Sequence, residues 1–188
     1  MEKLMNTPAA VAPAISYLFH RLETRFTGDP TILILNEAWI FFDHPAFAAK
    51  IREWLKVVRK LNVSVHFATQ GLTDIINSTI AAALIESCPT RIFLPNDRAL
   101  NEDSKAVYKR FGLNDTQIRI IATATPKRQY YYQSSMGNRL FELGLGPFAL
   151  AYCAVSDPKE QQVIKQILAN HEKTSFNDHW QKYKQITN

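Results

Sequence analysis

The sequence predicts a single α/β domain built around a mostly parallel sheet with helices on both faces. Three short apolar runs, each bounded by turn residues, alternate with amphipathic segments of helical period in the first half of the chain. Such runs are typical of strands buried on both faces, and this order indicates right-handed crossovers. The 188 residues, 46% of them hydrophobic, are enough for one ordinary core and too few for two.

The first half of the chain supplies the predicted parallel strands. A helix is expected over residues 11–26, and the Gly28–Pro30 turn ends it because proline cannot continue a helix. The strands are expected at 31–35, 63–68 and 90–94, with helices at 45–60 and 78–87 between them. All three strands are expected to be buried, including the whole of Ile32 to Leu35.

The second half changes character. Helices are predicted at 98–110 and 114–122, followed by strands at 127–134 and 139–143. The turn residues 135–138 lie between these strands, which indicates an antiparallel hairpin. Residues 148–154 read as one more apolar strand, and two polar helices are expected at 158–169 and 175–183. We therefore expect one domain with a leading helix (1–27), a core (28–156) and a helical tail (157–188).

Composition narrows the class of protein without fixing it. The net charge of +5 permits contact with nucleic acid or an acidic membrane, but the basic residues are scattered and form no run of five. Tyr130, Tyr131 and Tyr132 are suited to stacking on bases, although alternation along a strand places at least one of them in the core. No apolar run is long enough to span a bilayer, so we expect a cytosolic chain. Cys88 and Cys153 are expected to be buried.

Polar side chains follow two of the predicted strands at the point where each ends. Asn36 and Glu37 follow the first strand, and Gln70 follows the second. In open α/β sheets ligands bind beyond the carboxyl ends of the strands, where acidic side chains hold Mg²⁺ and orient an attacking water. Taken alone, each signal also fits an ordinary polar strand end, and the pairing of the two favours a site.

Several segments, taken in order, resemble the TrbE/CagE family of type IV secretion and conjugation ATPases, within the HerA–FtsK group. The resemblance covers nearly the whole chain. Linked motifs in the right order are more specific than any one of them. The segments that carry it are residues 17–21, 30–39, 54–56, 59–62, 68–70, 90–96 and 128–145.

The resemblance implies a RecA-like P-loop NTPase core that binds ATP and Mg²⁺. Glu37 matches the catalytic glutamate of the family, and Gln70 matches its sensor glutamine. Asn36 and Glu37 occupy its metal-binding positions. Arg59 and Arg128 fall in segments where the family places site arginines, and an ordinary surface role for both stays open.

The resemblance also implies partners and a location for the machine. It suggests a motor of several copies, such as a hexamer, that works with other type IV secretion components. Such a motor works at the cytoplasmic face of the inner membrane, and DNA contact is possible.

Two departures from the family pattern leave the activity of this chain open. The family has aspartate where this chain has Asn36, so a negative charge near Mg²⁺ is lost. No Gly-x-x-x-x-Gly-Lys-Ser/Thr segment occurs in the sequence, so the phosphate-binding loop, which precedes these motifs in the family, is missing. Two hypotheses follow: part of a motor ATPase whose site another segment completes, or an assembly module that does not hydrolyse ATP. A nucleic-acid-binding domain is a third.

Overall fold

The computed structural model describes residues 8–38 and 45–186, which form two compact units. The first unit ends at Phe141 and the second begins at Glu142. Trp39, the last residue of one resembling segment, lies outside the described residues. No helix in the described part of the chain is long and apolar enough to cross a membrane.

The first unit begins with a parallel strand pair and the helices beside it. Its elements, in order, are α1 (Pro8–Glu23), β1 (Thr31–Leu35), α2 (Pro45–Val57), a 3₁₀ turn (Val58–Leu61), β2 (Val63–Phe67), α3 (Leu72–Asn77) and α4 (Ala81–Ser87). The two strands run parallel and in register, from Thr31 opposite Val63 to Leu35 opposite Phe67. Both predicted strands and their parallel pairing are therefore confirmed. Helix α3 was not anticipated.

One face of this strand pair packs into the core. Leu33 and Leu35 are buried there with residues of α1, α2 and the α3–α4 region. Aromatic rings fill the space between the first two helices: the Phe19 ring lies 4.5 Å from the Trp54 ring and 5.8 Å from the Phe47 ring. The other buried members of this cluster are Ile15, Ala38, Ala48, Ile51, Val58, Val63, Ile80 and Leu84.

The opposite face of the strand pair is open, so the prediction that β1 is buried on both faces is wrong. Ile32 and Ile34 are each 68% exposed, whereas Leu33 is 8% exposed. Ser64 and His66, opposite them on β2, are exposed too. The reason is that side chains alternate along a strand and the packed helices all contribute to the cluster around Leu33 and Leu35. Periodicity marked the strand but not which faces are covered.

A polar contact ties α1 to α2 beside the aromatic core. Glu23 accepts a hydrogen bond from the Trp54 indole at 2.8 Å and forms an ion pair with Lys50 at 2.6 Å. Partial burial by itself raises the pKa of Glu23, but the hydrogen bonds from Lys50 and Trp54 hold it below its usual value on balance. The contact fixes the end of α1 just before the chain enters β1.

The rest of the first unit is built on an antiparallel sheet. Its elements are β3 (Arg91–Phe93), α5 (Glu102–Arg110), α6 (Asp115–Thr123), β4 (Gln129–Ser134) and β5 (Gly137–Glu142), with strand order β3-β4-β5. The predicted hairpin is confirmed. The third predicted strand was expected in the parallel sheet. Instead β3 pairs antiparallel with β4, because this places Phe93 beside Tyr131 on one buried face, against Ile118 and Ile121.

The second unit is helical, and the strand predicted at 148–154 is wrong. The unit contains α7 (Pro147–Cys153), α8 (Pro158–Asn170), a 3₁₀ turn (Lys173–Ser175) and α9 (Phe176–Tyr183). Pro147 suits the first turn of a helix, and Phe148 and Tyr152 meet four residues apart, with rings 5.2 Å apart. The buried Trp180 indole donates to the carbonyl of Ala151 at 3.0 Å. Short apolar runs of this length fit either element, and the tertiary contacts decide.

The two cysteines differ from the expectation of burial. Cys88 is half-buried, and burial raises the pKa of its thiol. Cys153 is exposed at the end of α7. Neither observation points to a metal or redox role.

The one-sided burial of β1 gives a direct stability test. Leu33→Ala should lower the free energy of unfolding of this chain by roughly 2–5 kcal/mol, since it leaves a cavity in the core. Ile34→Ala, one residue away on the same strand, should cost less than about 1 kcal/mol because its side chain is already in water. Urea denaturation of both variants measures the difference. Equal losses would contradict the assignment of the two faces.

Candidate site at the carboxyl edge of the parallel strands

The parallel ladder continues one step beyond the two strands, and this step shapes the candidate site. The Ala68 amide donates to the Leu35 carbonyl at 3.0 Å, and the Ala38 amide donates to the Ala68 carbonyl at 3.0 Å. The backbones of the segments after β1 and β2 are therefore held side by side. Glu37 lies between the two bonded residues of its segment, and Gln70 follows two residues after Ala68.

Glu37 and Gln70 meet at this edge. The Gln70 amide Nε2 donates a hydrogen bond to Glu37 Oε1 at 2.8 Å. Glu37 is half-buried, where full exposure was expected, and Gln70 is exposed. The sequence predicted two side chains at neighbouring strand ends, and the structure brings them into direct contact.

The backbone of Glu37 adopts an uncommon conformation. Its φ angle is +54°, in the left-handed region that residues other than glycine, asparagine and aspartate seldom enter. Such a conformation costs on the order of 1 kcal/mol or more and persists where the surrounding structure enforces it. Here the bond from the Ala38 amide to the Ala68 carbonyl holds the turn. The turn aims the carboxylate of Glu37 towards the end of β2, where Gln70 receives it.

The segment after Gln70 leads directly into α3. Gly71 is the N-cap of that helix, and a Cβ atom there would lie 2.8 Å from Oδ2 of Asp74. The carboxylate of Asp74 thus lies against the backbone that follows Gln70. Sequence analysis missed this residue because it missed α3. The Gly-Leu-Thr-Asp segment after the strand was the available signal.

The donor set at the edge suits a hard cation only in part. Asn36 is exposed at the start of the turn and offers a neutral amide oxygen next to the carboxylate of Glu37. Mg²⁺ takes oxygen ligands and is usually held by one or two carboxylates together with waters and substrate phosphates. Within residues 8–38 and 45–186 no group of three or more His, Cys, Asp and Glu side chains is placed to hold a metal. The residues fit a metal that is shared with a phosphate ligand.

The two predicted arginines lie away from this pair. Arg59 is in the 3₁₀ turn before β2, at the opposite edge of the parallel strands, roughly 16 Å away by the rise of a five-residue strand. Arg128 is exposed in the turn before β4, beyond the carboxyl end of β3 by the antiparallel register. It belongs to the other sheet, so no common ladder places it beside Glu37.

Comparison with known proteins agrees with the features found in the sequence. A family model described as the TraG P-loop domain matches residues 11–138. The conjugal transfer protein TrbE of Rhizobium radiobacter is 46% identical over 91% of this chain and 21% of its own length. A probable conjugal transfer protein TrbE of Sinorhizobium fredii is 42% identical over 96% of this chain and 27% of its own. The type IV secretion system protein CagE of Helicobacter pylori is 31% identical over 94% of this chain and 18% of its own.

A solved structure supports the fold. VirB4 of Thermoanaerobacter pseudethanolicus superposes with a TM-score of 0.60 at 19% identity, over 73% of this chain and 37% of that one. The predicted fold class is thereby confirmed. The chain spans about a fifth to a quarter of the length of the TrbE relatives. It belongs to the TraG P-loop domain family, in the group of type IV secretion ATPases that includes TrbE, VirB4 and CagE.

Proposed function

We propose that this chain supplies the water-activating half of the ATP site in a motor of type IV secretion or conjugative transfer. The observation that carries the proposal is the 2.8 Å hydrogen bond between Gln70 and Glu37 beyond the ends of two parallel strands. This edge is where open α/β sheets bind ligands. A carboxylate held there is placed to orient a water for attack on a phosphate and to accept its proton.

Gln70 has two consecutive tasks in this proposal. Without nucleotide its amide holds the Glu37 carboxylate in place. With ATP bound, the same amide is available to the terminal phosphate or to the water, because an amide group offers two N–H donors and one carbonyl acceptor. Asn36 and Glu37 would complete the coordination of Mg²⁺, whose charge offsets that of the phosphates.

The phosphate-binding loop would come from chain outside these 188 residues. The open face of the parallel pair supports this, since Ile32 and Ile34 present apolar surface that a complete α/β domain would cover. The long TrbE relatives, of which this chain matches about a fifth to a quarter, also fit. Arg59 and Arg128, both away from Glu37, would act on a neighbouring copy in an oligomer such as a hexamer. The motor would work with other secretion components at the cytoplasmic face of the inner membrane.

The second candidate is an assembly module without ATPase activity. Two sequence observations favour it: Asn36 in the metal-binding position and the missing phosphate loop. In this case the fold and its contact surfaces would be kept, and Glu37 and Gln70 would form only a polar strand-end contact. The two candidates differ in what a restored carboxylate at position 36 would do.

The purified chain should hydrolyse ATP only at the background rate. The reason is that a phosphate loop and its lysine provide much of the charge stabilisation for phosphoryl transfer, and the sequence contains neither. Phosphate release over hours, compared with a Glu37→Gln control, measures it. Steady turnover that the control abolishes would show that the chain holds a complete site.

Asn36→Asp in the complete protein, with its phosphate loop, distinguishes the two candidates. If Asn36 is a weakened Mg²⁺ ligand, the aspartate should raise hydrolysis and lower the Mg²⁺ concentration that gives half activity. An added charge near the ion is worth a few kcal/mol, about 4 kcal/mol at 4 Å for an effective dielectric of 20. Phosphate release in a Mg²⁺ titration gives the result. Superimposable curves for both proteins would leave only the assembly module.

A further inference from the structure

The three-stranded sheet of the first unit has an exposed face that the proposed ATP site does not use. Register and alternation place Ile92 of β3 beside Tyr132 of β4 on this face, opposite the buried Tyr131. Tyr130 lies on the same face, and so do Arg139 and Phe141 of β5, which contact the two tyrosines. We call these five residues the outer face. Ile92 is 53% exposed, and both tyrosines and Phe141 are half-buried.

Aromatic rings and a cation are already arranged in pairs across the hairpin. The rings of Tyr130 and Phe141 lie 5.7 Å apart with an angle of 30° between their planes. The guanidinium of Arg139 lies 5.9 Å from the centre of the Tyr132 ring. Tyr130 and Tyr132 are two residues apart on one strand, so the two pairs are about 7 Å apart. The outer face therefore presents two neighbouring aromatic platforms.

The charge of this part of the chain has one sign. Residues 125–141 contain Lys127, Arg128 and Arg139 and no acidic residue. Lys127 and Arg128 precede β4 at the end of the outer face where Tyr130 lies, and Arg139 is beside Tyr132. Cations thus lie at both ends of the aromatic platforms. This matches a polyanion better than an apolar protein segment.

We propose that the outer face binds single-stranded nucleic acid. Bases would stack on the platforms formed by Tyr130 with Phe141 and by Tyr132, and Arg139, Lys127 and Arg128 would contact the phosphates. Proteins that bind single strands without sequence preference combine aromatic stacking with cations along the backbone in this way. The sequence alone favoured this only weakly because the basic residues are scattered, whereas the sheet brings three of them around the rings.

Fluorescence anisotropy with labelled 20-nucleotide oligothymidylate and oligouridylate tests the proposal on this chain. Three phosphate contacts predict a slope of about −2 for the logarithm of the association constant against that of salt concentration. Arg139→Gln should weaken binding and make the slope shallower by about 0.7. Tyr132→Ala should weaken binding about tenfold or more, whereas Tyr132→Phe, which keeps the ring, should stay within about twofold.

Arg119→Gln is the matched control, since Arg119 is exposed on α6, whose Ile118 and Ile121 pack against the buried face of the sheet. It removes the same charge and should leave affinity within about twofold. Binding of either oligonucleotide supports the proposal, and their ratio separates DNA from RNA. Three results would overturn it: no binding, equal effects of Arg119→Gln and Arg139→Gln, or self-association by sedimentation that Arg139→Gln and Tyr132→Ala abolish without any nucleic-acid binding.

Discussion

The pairing of β1 with β2 is the constraint on which the candidate site depends. Without the extra rungs from Ala68 to Leu35 and from Ala38 to Ala68, nothing in the described contacts would hold the turn at Glu37 in its left-handed conformation. The same rungs bring Gln70 to within 2.8 Å of the carboxylate. A parallel pair in register puts both strand ends at one edge. The site is thus a consequence of backbone hydrogen bonding and not of a local motif alone.

The core beneath this edge is one-sided. Leu33 and Leu35 anchor β1 to the helices, while Ile32 and Ile34 remain in water although their chemistry suits burial. Each buried aliphatic side chain contributes about 1.5–3 kcal/mol, so covering the two isoleucines would add appreciable stability. This explains how one chain can keep the catalytic edge of a P-loop domain in order and still present an apolar surface to a further segment. It also links the fold to the proposal that the phosphate loop lies elsewhere.

The sequence predicted the elements with strong local signals and failed where only tertiary contacts decide. The apolar runs before Asn36 and Gln70 gave both parallel strands and the polar pair at their ends. Alternation in Tyr130 to Tyr132 correctly required one buried tyrosine, which is Tyr131. The run around Leu150 was misread as a strand because seven apolar residues fit either element, and packing of Ala151 against Trp180 selects the helix. No pattern reports the exposed face of β1 or the backbone angle of Glu37, since both depend on neighbours distant in sequence.

The central claim is that Glu37 activates the attacking water, and single-turnover hydrolysis in the complete protein tests it most directly. Glu37→Gln keeps the size and hydrogen-bonding ability of the side chain but removes its basicity. The account predicts that the hydrolysis rate falls by about 10²–10⁴ while the affinity for ATP changes by no more than a few fold. An unchanged rate with normal ATP binding would contradict it.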